Sequence, residues 1–146
     1  MPHVETEILV EAPPERCYEI ASDMEKFPAF MPSVDEITVL ERGKDWARTR
    51  WVARLQGKPV RWVEQEDFDD ESLRIQYYQL EGDLKTFQGD WTFVSMNGHC
   101  RIRLTVEASL GVPMLAAALD PLIKKLIRDN CNSMLEAIKT EAESTS

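Results

Sequence analysis

One amphipathic stretch near the C-terminus, from Pro113 to Glu143, limits what this chain can fold into more than any other feature. At about 100° per residue, charged side chains fall on one side of a helix built from this stretch, and aliphatic side chains fall on the other. The aliphatic positions are Leu115, Leu119, Leu122, Ile123, Leu126, Ile127, Met134, Ala137 and Ile138. Because so broad an apolar face is unstable in water, another layer of structure must cover it.

The sequence is compatible with two starts for this helix. Asp120 and Pro121 resemble an N-cap followed by proline at the first helical position, which gives a long helix over about residues 120–143. Leu115 to Leu119 would then form a short preceding turn. Alternatively, the helix is continuous from Pro113 and is kinked at Pro121.

The composition is that of one globular domain covering residues 1–146. A hydrophobic content of 43% can build a core, and a net charge of −9 argues against nonspecific binding to nucleic acid or anionic membrane. No apolar run approaches the ~20 residues of a membrane span, and residues 1–5 do not resemble a signal peptide. We therefore expect a cytoplasmic protein that binds no nucleic acid, and we leave the oligomeric state open.

Cysteine and histidine are too few and too scattered for a metal site of the zinc type. Cys17, Cys100 and Cys131 form no Cys-x-x-Cys motif, and His3 and His99 are the two histidines of the chain. We expect the cysteines to be small core residues, and we expect neither a metal nor another cofactor.

Alternating apolar residues and turn signals predict seven strands and two short helices before the long helix. Val4 to Val10 alternate as a first strand, and Glu15 to Ser22 and then Asp23 to Met31 follow as short helical segments. Gly57-Lys58 and Asn97-Gly98 are hairpin signals, and the other loops are equally short, so the strands pair antiparallel. The six later strands are Val34–Arg42, Trp46–Gln56, Val60–Asp69, Leu73–Leu80, Leu84–Val94 and Cys100–Leu110. The predicted fold class is α+β, a seven-stranded antiparallel sheet wrapped round the long helix.

Hairpin register assigns faces to the strands. If Leu55 pairs with Val60, then Ala53 pairs with Trp62, Trp51 with Glu64, Thr49 with Glu66, and Ala47 with Phe68. The next hairpin then pairs Phe68 with Leu73, Glu66 with Ile75, and Glu64 with Tyr77. This face is the more apolar one, so we place it against the helix. The opposite face carries Arg48, Arg50, Arg54 and Arg61.

One helix cannot fill the concave side of seven strands, so we expect a gap between sheet and helix that binds a hydrophobic small molecule. Phe27 and Phe30 are expected to close one end of it. A packed core is the alternative for any single aromatic residue, but several bulky aromatics together suit a flat apolar ligand. The predicted ligand-binding residues are Phe27, Phe30, Trp51, Trp62, Glu64, Glu66, Tyr77, Phe87, Trp91, Asn130 and Met134.

Three polar residues fall on this otherwise apolar lining. Glu64 and Glu66 project to the same side of one strand, about 7 Å apart. If they are buried, repulsion and desolvation should raise at least one pKa and make it a candidate catalytic acid or base. If this end of the strand opens to water, with arginines nearby, they are ordinary surface carboxylates. Asn130 lies near the centre of the apolar arc of the helix. It could bond to the sheet backbone or a water, or it could contact ligand.

Three segments of the chain resemble the START-like, helix-grip superfamily. They are Ala12–Tyr18 (APPERCY), Asp23–Val34 (DMEKFPAFMPSV) and Gly82–Phe93 (GDLKTFQGDWTF). In particular they resemble the branch of polyketide cyclases/dehydrases and coenzyme Q-binding proteins, which also includes ribosome-association toxin-like proteins. This resemblance covers nearly the whole chain. It implies the helix-grip fold, but such a fold hosts carriers and enzymes alike.

The resemblance implies different roles in different relatives. In aromatase/cyclase members, Trp62, Trp91 and Asn130 correspond to pocket residues, and a serine and an arginine usually occupy the positions of Glu64 and Glu66. Because Glu66 reverses the charge that stabilises an oxyanion, it argues against the same enolate chemistry. Coenzyme Q-binding members act as carriers without a catalytic set.

Three functions follow as hypotheses. We favour a carrier or sensor for a lipid, a quinone or an aromatic polyketide-like molecule. The alternative is a cyclase/dehydratase that uses Glu64 or Glu66 as general acid or base and Asn130 as oxyanion donor. A third is a protein- or ribosome-interaction module that uses the arginine face.

Overall fold

The computed structural model describes residues 3–55, 57–109 and 113–144. Within these ranges the chain forms seven strands and three α-helices, with a 3-10 turn at Met24–Lys26. The helices are α1 (Pro14–Ser22), α2 (Phe27–Phe30) and α3 (Pro113–Ser144). The strands are β1 (His3–Val10), β2 (Val34–Arg42), β3 (Trp46–Leu55), β4 (Lys58–Asp69), β5 (Arg74–Gly82), β6 (Thr86–Met96) and β7 (His99–Ser109).

The seven strands form one antiparallel sheet in the order β1-β7-β6-β5-β4-β3-β2. Strands β2 to β7 follow one another as a meander, as the short loops predicted. The two-residue turn at Asn97 and Gly98, both with positive φ, joins β6 to β7. Helix α3 packs against β1, β3 and β7. The sheet, the long helix and the two short helices after β1 confirm the predicted helix-grip fold.

The predicted register between β3 and β4 is wrong by two residues. Trp51 pairs with Trp62 and Thr49 with Glu64, because the turn is tight enough for Leu55 to pair with Lys58. Gly57 permits this turn with a φ of 78°. Since side chains alternate with a period of two, an even shift leaves each of them on its predicted face.

The predicted register between β4 and β5 is wrong in the same way. Glu66 pairs with Tyr77, and Glu64 pairs with Gln79 after a bulge that follows Val63. The turn between the strands ends at Leu73, which adopts a left-handed φ of 54°. A residue that the sequence assigned to the strand therefore belongs to the turn. The faces are again unchanged.

Helix α3 is continuous from Pro113 to Ser144, with Pro121 inside it. The start at Asp120 is therefore wrong, and the alternative of a continuous helix is confirmed. Among its described side chains, the buried ones are Ile127, Cys131, Met134, Leu135, Ile138 and Ala142. Leu122 lies on the predicted apolar face but is 47% exposed. The side chains of Leu115 and Leu119 lie outside the described residues.

Burial separates the two faces of the sheet as predicted. Ala47, Thr49 and Trp51 of β3 are buried, while Arg48 and Arg50 between them are exposed. The three cysteines are free and buried, as expected for small core residues. Among the described residues, no helix combines the length and apolar character needed to cross a bilayer.

Candidate functional site

A cavity of about 60 Å³ lies between the inner face of the sheet and α3. The cavity remains because α3 covers the sheet with one row of buried side chains, while the sheet is seven strands wide. The lining is apolar except at Glu64 and Asn130. The lining residues are Val34, Trp51, Ala53, Val60, Trp62, Glu64, Tyr77, Leu84, Phe87, Trp91, Leu104, Val106, Ile127, Asn130, Cys131 and Met134.

Aromatic side chains of four neighbouring strands form one wall of this cavity. The rings of Trp51 and Trp62 are stacked, with centroids 5.3 Å apart. Phe87 lies 5.0 Å from Trp62 and 5.6 Å from Tyr77. These contacts are at the separations that aromatic pairs prefer, so the rings form one packed layer that lines the cavity.

Tyr77 is held in this wall by its hydroxyl, which donates to the carbonyl of Thr105 at 2.7 Å. Gly89 pairs with Tyr77 in the ladder, and a side chain at that position would clash with the Thr105 carbonyl and the Tyr77 hydroxyl. The glycine therefore lets a tyrosine from β5 reach across β6 to β7. Its ring is presented to the cavity while its polar end is satisfied elsewhere.

Glu64 and Glu66 are both buried, with 3% and 0% of their surface exposed. Trp62 Nε1 donates to Glu64 Oε1 at 2.6 Å. Glu66 Oε2 accepts from Thr49 Oγ1 at 2.5 Å, and Thr49 Oγ1 in turn accepts from Trp51 Nε1 at 2.7 Å. No described cation pairs with either carboxyl. The interpretation that this end of β4 opens to water beside arginines is therefore wrong, since the arginines point to the other face.

Burial raises the pKa of Glu64 well above its ordinary range, and the neighbouring Glu66 carboxyl raises it further. Burial also raises the pKa of Glu66, while the hydrogen bonds from Glu64 and Thr49 act in the opposite direction. Glu66 Oε1 has no hydrogen-bond partner. The raised pKa of Glu64 favours its protonated form, because two adjacent buried carboxyls avoid a double charge.

Asn130 reaches the cavity from α3, opposite the aromatic wall. Its Nδ2 is buried and has no hydrogen-bond partner. A bond from this amide to the sheet backbone, one of the two predicted roles, is therefore absent. Because an unpaired buried amide is unfavourable, Nδ2 offers a free donor to a ligand oxygen.

Eight of the eleven predicted ligand-binding residues line the cavity, and three do not. Phe27 is fully buried behind it, against Trp51 and Trp91, and Phe30 packs on Phe27. Phe27 is a core residue, and the half-buried Phe30 packs against the core. Glu66 lies behind Glu64, where it also borders an open cleft of about 580 Å³ on the α1 side. The lining residues that the sequence analysis did not select are aliphatic or small: Val34, Ala53, Val60, Leu84, Leu104, Val106, Ile127 and Cys131.

No group of three or more His, Cys, Asp or Glu in the described ranges could hold a metal ion. The side chains that line the cavity supply one carboxyl, one amide donor and a set of aromatic rings.

Comparison with known proteins identifies relatives with this architecture. The chain is 35% identical to the protein TTHA0849 of Thermus thermophilus, whose crystal structure superposes with a TM-score of 0.93 over 99% of both chains. The Zhui aromatase/cyclase of Streptomyces sp. R1128 has the same fold, with a TM-score of 0.88 and 21% identity over 97% of this chain and 93% of that one.

A curated relative is the bifunctional cyclase/dehydratase of the actinorhodin polyketide synthase from Streptomyces coelicolor. It is 28% identical over 116 residues, which is 75% of this chain, and the match spans only 37% of that longer protein. The family model described as polyketide cyclase/dehydrase and lipid transport matches residues 10–135. The chain therefore belongs to the polyketide cyclase/dehydrase and lipid transport family.

Proposed function

We propose that this chain binds a hydrophobic, planar aromatic molecule between the sheet and α3, as a carrier or sensor. The observation that carries the proposal is the aromatic wall of Trp51, Trp62, Tyr77, Phe87 and Trp91 around an apolar cavity. Ring faces that point into free space bind flat apolar ligands by area. Polyketide-like aromatics and quinones are the ligand classes that suit this wall best, and a lipid with a flat headgroup is a further one.

The space beside the wall limits the affinity. The cavity of about 60 Å³ is smaller than the ~300 Å³ of an ordinary ligand site, so the proposed binding requires α3 and the aromatic wall to move apart. Burial of about 300 Å² of apolar ligand surface would contribute about 7 kcal/mol at roughly 25 cal/mol per Å². Association entropy and side-chain ordering subtract several kcal/mol from this figure. The remaining free energy of about 3–4 kcal/mol corresponds to binding at about millimolar ligand from buried area alone. The three buried free cysteines are compatible with a reducing, cytoplasmic setting for this role.

Native mass spectrometry of the freshly purified protein, followed by solvent extraction, tests the proposal. We expect a retained small aromatic molecule or, in an empty sample, a mass shift on addition of a quinone or a polyketide-like aromatic. Phe87→Ala should weaken binding about tenfold, because it removes a ring from the wall. Val94→Ala, on the exposed face of the same strand, is the matched control. An empty protein that takes up none of these compounds would contradict the proposal.

A second candidate function, a cyclase or dehydratase, is favoured by one observation. Glu64 faces the cavity with the buried carboxyl of Glu66 behind it. Burial raises the pKa of Glu64 well above its ordinary range, and such carboxyl pairs serve as general acids and bases. In dehydration, Glu64 would protonate the leaving hydroxyl while Asn130 Nδ2 holds a carbonyl oxygen. Glu66 would be a positioning residue that sets the proton on Glu64.

Turnover of a β-hydroxyketone substrate separates the two functions. Glu64→Gln should lower kcat at least a hundredfold in an enzyme while leaving ligand affinity within a few-fold. Glu81→Gln, an exposed glutamate on β5, should leave both unchanged. If neither wild type nor variant turns over any aromatic β-hydroxyketone that binds, the enzyme function is rejected and the carrier function stands.

A further inference from the structure

Two carboxyls lie at this cavity without a cationic side chain as a partner. Glu64 lies on the cavity wall, and Glu66 lies directly behind it. Their described partners are neutral donors, the indole of Trp62 and the hydroxyl of Thr49. Among the residues that the structure describes, no Lys, Arg or His lines this cavity. Buried carboxyls are normally paired with a cation or a metal. Because the described lining contains no cation, a positively charged ligand would supply this partner.

The walls beside Glu64 are suited to a cation. Trp62 donates its N–H to the Glu64 carboxyl, and its ring packs between Trp51 and Phe87. Tyr77 contacts Phe87 and lines the same space. The negative faces of aromatic rings attract a desolvated ammonium group, and Trp does so most strongly. Carboxyl and ring faces thus border one volume, as in sites that recognise organic cations.

The lining of the cavity is unfavourable for an anionic ligand. The amide donor in the lining, Asn130 Nδ2, is neutral, and the ionisable groups of the lining are Glu64, Tyr77 and Cys131, none of which becomes a cation. A ligand carboxylate would lose its hydration and gain no cation. Fatty acids and aromatic acids are therefore poor occupants of this cavity.

We propose that the cavity is selective for an aromatic molecule that carries a protonated amine, whose ammonium group pairs with Glu64. This inference rests on the proposed function, since it names the charge class of the same aromatic ligand. The ring of the ligand lies against the aromatic wall, and its N–H groups donate to the Glu64 carboxylate. Asn130 remains available to a ligand oxygen.

Binding of the cation is coupled to proton release. The titratable groups around Glu64 are Glu66 on the same strand, Tyr77 on β5 and Cys131 on α3, and Asp67 acts on Glu66 from β4. Burial raises the pKa of Tyr77 well above its ordinary value and that of Cys131 to about 12, so both stay neutral. The proton that leaves comes from the Glu64 carboxyl. Its O–H bond breaks, the proton passes to the buffer, and the ammonium keeps all its N–H bonds.

Three probes with one ring system and three charges test the inference on the full chain. They are naphthylmethylamine, naphthylmethanol and naphthoate, titrated by calorimetry at about pH 7 in two buffers that differ in ionisation enthalpy. We expect the amine to bind at least tenfold more tightly than the alcohol and to release about one proton. The alcohol should release none, and the acid should bind most weakly.

Substitution of the carboxyl provides the second readout. Glu64→Gln should bind the amine and the alcohol with similar affinity and release no proton, while Glu81→Gln behaves as wild type. Circular dichroism checks that the variant is folded, and the comparison of probes on wild type needs no variant at all.

The outcomes distinguish this inference from the function on which it rests. If the alcohol binds wild type and the amine binds no more tightly, or binds without proton release, the charge selectivity is overturned and the aromatic binding function stands. If none of the three probes binds, both are overturned.

Discussion

Glu64 and Glu66 lie two residues apart on β4, with both carboxyls out of water and no described cation beside either. At these two positions the chain differs from the aromatase/cyclase proteins that it resembles, which usually have serine and arginine there. An arginine at residue 66 would offer a fixed positive charge to a ligand oxyanion. A carboxyl pair that shares a proton offers an acid or, after deprotonation, a partner for a cation. On the proposed function, we expect these two positions to influence the charge class of the ligand without changing the fold.

The carboxyl pair should make stability depend on pH. Because the folded state raises both pKa values above the ordinary 4.5, it holds protons that the unfolded chain has lost. The stabilisation is complete below the ordinary value and is lost as the pH rises through the raised values. The double variant Glu64→Gln/Glu66→Gln should therefore exceed wild type in free energy of unfolding by about 1–3 kcal/mol near pH 8 and by less near pH 4.5.

Urea denaturation at several pH values measures this difference. Glu81→Gln is the exposed control, and its difference from wild type should not change with pH. If the free energy of unfolding of the double variant differs from that of wild type by the same amount from about pH 4.5 to 8, the two carboxyls titrate with ordinary pKa values.

The sequence could place these two residues side by side but could not determine their state. Strand periodicity put both carboxyls on the inner face with Thr49, Trp51 and Trp62, and that assignment is confirmed. Whether the face was wet depended on the cover given by α3 and the neighbouring strands. That is a property of packing, which no local pattern of residues contains.

At the scale of elements, α3 carries an internal proline at an exposed position, Pro121. Proline removes one helical hydrogen bond and its ring crowds the carbonyl four residues earlier. Pro121→Ala should therefore raise the free energy of unfolding by about 1–3 kcal/mol, measured by chemical denaturation. Arg128→Ala, exposed further along the same helix, should change it by less than about 0.5 kcal/mol. Loss of stability in Pro121→Ala would mean that the proline fits this helix better than alanine does.

The elements themselves were predictable, and their ends were less so. Alternation and turn residues located all seven strands, because the strands bury one face and are separated by short turns. The registers of both hairpins on β4 were wrong by two residues, because turn length is set by backbone conformation at Gly57 and Leu73. The start of α3 could not be decided from Pro121, because proline occurs in the first turn of helices and also at interior positions that tertiary contacts tolerate.

At the scale of the whole molecule, the charge of −9 should exclude nucleic acid. Two of the four outer arginines are in ion pairs, Arg48 with Glu41 and Arg54 with Asp35, which reduces the free positive charge of this face. We expect no gel shift of duplex DNA or RNA at about 50 mM salt and micromolar protein. A basic protein of similar size is the positive control. A shift that weakens steeply with salt would contradict this expectation.

The strand order has a consequence for how the chain folds as it is synthesised. β1 ends at Val10, while its partner β7 begins at His99, so β1 cannot pair until nearly the whole sheet has left the ribosome. At about 5–20 residues per second this takes roughly 5–20 s. During that time, neighbouring strands of the β2 to β7 meander can pair as they emerge. β1 has no partner and keeps its apolar face exposed. This waiting period makes β1 the segment that a chaperone would protect during translation.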